Sequence, residues 1–146
     1  MPVRYKNLLL IFVFAMLNAC GNVPETHYYT VELEQLSQQN EHIGALLHIQ
    51  AFDASTVLKY DKLMYKTSPY EIKYDAYRRW AATPPTLLSE KAVEYFRESL
   101  LFDHVVMDMP HAREGYSLFG YVNHFEESLK NGQRLAVVSV AFDVYN

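Results

Sequence analysis

The hydrophobic pattern divides this chain into a short apolar leader and a longer body that alternates mostly with a period of two. Leu8–Leu17 (LLLIFVFAML) is an uncharged apolar run with Arg4 and Lys6 ahead of it. Ten residues of helix reach only ~15 Å, about half of a ~30 Å hydrocarbon core, so the run has the anatomy of a secretory signal rather than a span. In the body, Tyr28–Leu33 alternates as a first strand. Ser37–His42 is polar and reads as a loop, and Ala45–Phe52 is apolar on both faces, as a central strand is. Lys62–Lys66 and Tyr70–Tyr77, separated by Ser68-Pro69, predict a hairpin. After Trp80 and Pro84-Pro85 the period changes. Leu88, Ala92, Tyr95/Phe96 and Ser99 recur at helical spacing, with charge mostly on the other side, so Thr86–Leu101 is expected to be the one main amphipathic helix. His104–Met107 is a short strand candidate that Pro110 ends. Tyr116–Glu126 and Gln133–Tyr145 are long strands around Asn131-Gly132, a dipeptide suited to a tight turn, here with flanks that suggest a slightly longer loop. The expected fold is α+β, with a mostly antiparallel sheet and one helix.

The leader ends in Leu17-Asn18-Ala19-Cys20, and Cys20 is the single cysteine. This ending resembles a bacterial lipobox, with Asn18 at a position where a smaller or less polar residue is more usual. The resemblance implies cleavage before Cys20 and a covalent lipid on it. An ordinary signal cut after Ala19 would instead leave a lone thiol, unusual in an oxidising compartment. The chain then divides into a signal peptide (1–19), a lipidated tether (20–27) and a single domain (28–146). Gly21–His27 spans roughly 23 Å at most, which keeps the domain close to its membrane.

The mature part, 127 residues, is long enough for one core without disulfides. Residues 1–19 hold two basic and no acidic residues, so 11 Lys+Arg remain against 17 Asp+Glu, a formal −6. That balance argues against nucleic acid as a partner and against docking on anionic lipid through a basic patch. The six histidines show no metal-ligand spacing, and no nucleophile motif or phosphate loop is present, so neither a metal nor catalysis is expected. Glu126 and Glu127 are adjacent on a strand and point to opposite faces, which does not suit an acid/base pair. Tyrosine is the compositional anomaly, with 12 in the chain, five of them at Tyr60, Tyr65, Tyr70, Tyr74 and Tyr77. Tyrosines build the core and rim of sheets and also enrich contact surfaces; both readings stand.

Three stretches together resemble the ABC-type transport auxiliary lipoproteins, the PqiC/YmbA-like family. They are Cys20 followed closely by Tyr28-Tyr29-Thr30-Val31; the run through Tyr74 to Trp80, Pro84, Pro85 and Leu88; and Tyr116–Val122 leading to Ala136–Asp143. The resemblance implies a non-catalytic envelope lipoprotein of an MCE-type lipid transport system. It also implies a link between transporter parts and the outer membrane, facing the periplasm. Members of that family usually continue past the last long strand with a further strand and a helix, whereas this sequence ends at Asn146.

The expected partners are the membrane, through the lipid, and an MCE-domain protein with other transport-system subunits. The candidate contact edge is the last strand, through Val138, Val140 and Phe142, which is apolar on both faces; a second copy of the chain could meet the same edge. Trp80 is expected to be a packing anchor. The alternative function is a small lipoprotein that itself binds an apolar ligand among Tyr and Phe side chains, and a less favoured one is an envelope enzyme.

Overall fold

The computed structural model describes residues 23–34, 42–108, 114–130 and 132–146. The leader, Cys20 and Pro110 lie outside these residues. The strands are β1 (His27–Tyr29), β2 (Leu46–Ile49), β3 (Asp53–Ala54), β4 (Lys62–Ser68), β5 (Glu71–Trp80), β6 (His104–Met107), β7 (Tyr116–Lys130) and β8 (Gln133–Tyr145). One helix, α1 (Pro84–Ser99), sits between β5 and β6, and a short 3-10 turn covers Thr56–Leu58.

The sheet is curled and mixed: its two long hairpins are antiparallel, as the sequence leads one to expect, but its shorter pairings are parallel, which the expectation did not include. Only the two hairpins, β4–β5 and β7–β8, are antiparallel. β2, β3 and β4 run in succession along one edge of β7, each parallel to it, at Tyr116–Leu118, Tyr121–Val122 and Glu127–Ser128. β1 pairs parallel with the end of β5, and β6 pairs parallel with β2. A period of two states which face a side chain takes, not which way a neighbouring strand runs, so the parallel pairings leave no local trace.

Several boundaries also move. The first strand is shorter than Tyr28–Leu33. Ala45–Phe52 breaks after Ile49: Gln50 N–H still donates to Leu118 O on β7, but the next two N–H groups turn to side chains. Ala51 donates to Asp108 Oδ1 at 2.9 Å and Phe52 to Ser89 Oγ at 2.8 Å, and the chain then resumes as β3. β7 reaches Lys130, which pairs with Gln133, so Ser128–Lys130 are strand rather than loop. Gly132 takes φ 78°, the left-handed backbone that a two-residue hairpin connection requires.

The helix begins at Pro84, not Thr86, and stops at Ser99, with Leu100 in the left-handed conformation. The two prolines occupy its first turn, where their missing N–H groups cost nothing. Its buried line runs through Pro85, Ser89 and Val93. Leu88, Ala92 and Phe96 flank that line and are only partly covered. Ser89 joins helix to sheet: its hydroxyl donates to Pro85 O at 2.7 Å and accepts from Phe52 N–H. Arg97 ties the other end, donating through Nε and Nη2 to Val105 O.

The core gathers Leu47, Ile49, Phe52, Leu58, Met64, Val93, Val105, Leu118, Val122 and Phe125. β7 supplies its centre by an alternation that changes phase once. Leu118, Gly120 and Val122 face inward, Val122 pairs with Val140, and His124 pairs with Ser139. Asn123 is therefore the extra residue of a bulge, and Phe125 becomes the next inward side chain.

Candidate functional site

The most distinctive surface lies where β8 passes α1. On β8, Val140, Phe142 and Val144 lie on the face that carries Leu118, Gly120 and Val122 on β7. Across from them stand Leu88, Ala92, Tyr95 and Phe96 of α1, with Phe52 and Leu118 also in the lining. Together they enclose an open, almost wholly apolar groove of about 470 Å³.

Gly120 is what makes this possible. A Cβ there would lie 2.5 Å from the Phe52 ring, so only glycine lets Phe52 reach across β7. Phe52 then meets Phe142, the residue paired with Gly120, edge to face at 5.6 Å. Behind the groove, Tyr95, Phe96, Phe102 and Tyr116 continue as a chain of edge-to-face contacts, which stiffens the helix wall.

A second, smaller apolar depression of about 220 Å³ lies further along β8 and includes Leu63, Trp80, Phe125, Leu135 and Val138. Trp80 closes β5, packs on Phe125 at 4.8 Å and approaches Tyr29 at 6.5 Å. Its indole Nε1–H is buried without a partner. Both features suit a packing role, since the ring's polar end contributes no bond.

The structure thus brings together residues that the sequence holds apart, in two places along β8. Leu88 lines the larger groove together with Val140 and Phe142, and Trp80 lines the smaller one together with Val138. Tyr74 joins neither. Its hydroxyl donates to Val57 O at 2.8 Å and its ring packs on Tyr60, and burial pushes the phenol up from its usual range. Pro84 and Pro85 are buried at the helix start. Phe52, Tyr95 and Val144 are groove residues that sequence reasoning misses. The helical spacing of Leu88, Ala92 and Tyr95 signals a core face, whereas that face is half open. The tyrosine cluster lies at the rim, with Tyr70 fully exposed at the β4–β5 turn and Tyr60 and Tyr77 exposed as well.

Among the described residues no three His, Cys, Asp or Glu side chains converge as metal ligands do. His42, His48 and His124 have hydrogen-bond partners instead. His42 bonds Leu100 O and Asp103, which raise it above the usual imidazole value, and Gln50 bonds His48. Glu126 is the one buried carboxylate in this part of the sheet. Burial would raise it, but hydrogen bonds from Lys66 Nζ at 2.7 Å and from His124 Nδ1 at 3.0 Å outweigh that and hold it below the ordinary range. Glu127 turns to other partners, Arg78 and Arg134, so the two adjacent carboxylates do not share a site.

The domain is thus a curled mixed sheet with one helix laid across it and apolar depressions along β8. The family model for the ABC-type transport auxiliary lipoprotein component matches residues 29–146, and the chain belongs to that family. It is therefore related to a transport-associated component of the bacterial envelope. A comparison with curated proteins finds no match. Among solved structures, the fold is similar to that of protein XCC0632 from Xanthomonas campestris, of the DUF330 family. The TM-score is 0.70 at 15% identity, over 81% of this chain and 67% of that one. It is also similar to an uncharacterized protein, with a TM-score of 0.54 at 16% identity, over 82% and 80% of the two chains.

Proposed function

We propose that this chain is a non-catalytic, lipid-anchored subunit of an MCE/ABC-type lipid transport system, linking transporter components to the outer membrane from its periplasmic side. The observation that carries this is the long, exposed β8. Among the described residues it pairs only with β7, it carries no charge from Leu135 to Phe142, and it exposes Val138, Phe142 and Val144. A strand of this kind serves protein contact better than chemistry. Membership of a transport auxiliary family supports the same direction. The anchor would be the lipid on Cys20, with Gly21 after it favouring export to the outer membrane.

The test has two arms. Cys20→Ser should release the protein from membranes or leave it uncut, and intact mass should show a lipid on Cys20 in the wild type. Sucrose-gradient fractionation should place the wild type with outer membranes. Affinity purification of the wild type should bring down an MCE-domain protein. An unmodified thiol would remove the anchor, and absence of any transport subunit would remove the functional reading.

A further inference from the structure

We propose that the groove between α1 and β8 seats an amphipathic helix with a basic margin, contributed by another protein of the transport assembly. This deepens the reading above and rests on it.

The groove has the form such a partner needs. One wall is the stretch of α1 from Leu88 to Phe96, roughly 12 Å long, and the other is the extended stretch of β8 from Val140 to Val144. It is open along its length rather than closed, so an inserted helix can lay an apolar stripe into it and keep its opposite side in water. Its lining offers no polar group to orient a small molecule apart from Lys91 and the hydroxyl of Tyr95.

The margin decides which occupant fits. Leu33, Lys91 and Tyr95 belong both to the groove and to an adjoining shallow cleft that Glu32, Glu34, Glu94 and Glu98 complete. Four carboxylates and one ammonium thus line the cleft, and that ammonium is already engaged by Glu94 at 2.5 Å. The hydrogen bond to Glu94, with the charges of Glu94, Glu32 and Glu98, holds Lys91 above the usual lysine range. Along α1, Glu90, Glu94 and Glu98 recur at intervals of four, a like-charge spacing that works against the helix itself. An acidic margin repels the phosphate of a phospholipid headgroup. It also repels a second copy docked groove to groove, which would bring an identical margin. It attracts lysine and arginine beside an apolar stripe.

Two fluorescent peptides of about 18 residues, one Leu/Lys and one Leu/Glu with the same apolar stripe, would match α1 in length and test this by anisotropy against the full chain. The Leu/Lys peptide should bind about 10-fold tighter at low salt. The preference should vanish near 1 M salt, where the Debye length is ~3 Å. Ala92→Arg should abolish binding of both peptides with an unchanged circular dichroism spectrum. Glu94→Lys with Glu98→Lys, a surface change, should reverse the preference while leaving the groove intact.

The proposal is overturned if the peptides bind alike, if neither binds, or if Ala92→Arg leaves binding unchanged. It is also overturned if phosphatidylglycerol vesicles compete fully for the groove, or if sedimentation shows a dimer that Ala92→Arg dissolves. Co-purification of transport subunits that is indifferent to Ala92→Arg removes this inference and leaves the functional reading standing. Peptide binding without any co-purified transport subunit removes the functional reading and, with it, the assignment of the occupant to the transport assembly.

Discussion

The two edges of β7 make an instructive pair. One edge meets three short parallel strands, and the side chains there close into the core, with Val122 and Ile49 fully buried. The other edge meets one long strand, β8, which is uncharged and mostly apolar from Leu135 to Phe142. Yet Val138 is 57% exposed and Phe142 55%. What differs between the two edges is whether anything stands beyond them. The first side has α1, the 3-10 turn and β6 stacked over or beside it. Beyond β8 there is, among the described residues, no further strand. The first side accordingly carries stability and the second is open to contact.

The largest expected effect falls on Trp80, a partly buried ring that packs against the core beside the smaller depression. Trp80→Ala empties the space between Tyr29 and Phe125 and should cost about 3–5 kcal/mol. Urea unfolding measures this. Trp80→Phe should cost far less, because the buried indole N–H has no partner to lose. An equal cost for both would mean that Trp80 does more than fill space.

Gly120→Ala probes the seam between the two sides. The new Cβ would press on the Phe52 ring, and an overpacked site of this kind costs about 1–3 kcal/mol. Because Phe52 is driven toward Phe142, groove binding should weaken in the same variant. A stable Gly120→Ala protein with an unaltered groove would separate the two regions completely.

A smaller effect should appear with acid. Glu126 is held below the ordinary carboxylate range in the folded chain. The unfolded chain therefore binds its proton first as pH falls. The stabilisation is complete above the ordinary carboxylate range and disappears as pH drops through the lower, folded value. Urea midpoints measured against pH should show this acid-side slope in the wild type and a flatter one in Glu126→Gln. Identical slopes would place the carboxylate outside the folding balance.

Val138→Lys should have the smallest effect on folding, within about 0.5 kcal/mol, since the side chain is already exposed. Its effect should appear in assembly instead, as reduced capture of transport subunits. If it unfolds the protein while leaving partner capture unchanged in the folded fraction, the contrast between the two edges is wrong.

Much of the fold is legible in the amino-acid sequence. The β4–β5 and β7–β8 hairpins follow from Ser68-Pro69 and from the Gly132 turn, both local signals. The helix follows from its spacing, and its start shifts by two residues because paired prolines are as acceptable in the first turn as before it. β3 is not legible. Two residues carry no period, and the strand is defined only by its pairing with Tyr121 and Val122 of β7. The groove is half legible: apolar positions stand out on α1 and on β8 separately, without the contact between them.

By itself the sequence determined the elements, their faces and the family, because these depend on spacing within short windows and on motifs such as the one from Tyr74 to Leu88. Strand direction, the bulge at Asn123, the passage of Phe52 over Gly120 and the open groove were decided only by tertiary structure. Each depends on pairings between residues far apart in the chain. Whether an apolar face is covered is a property of its neighbours in space, which no local pattern records.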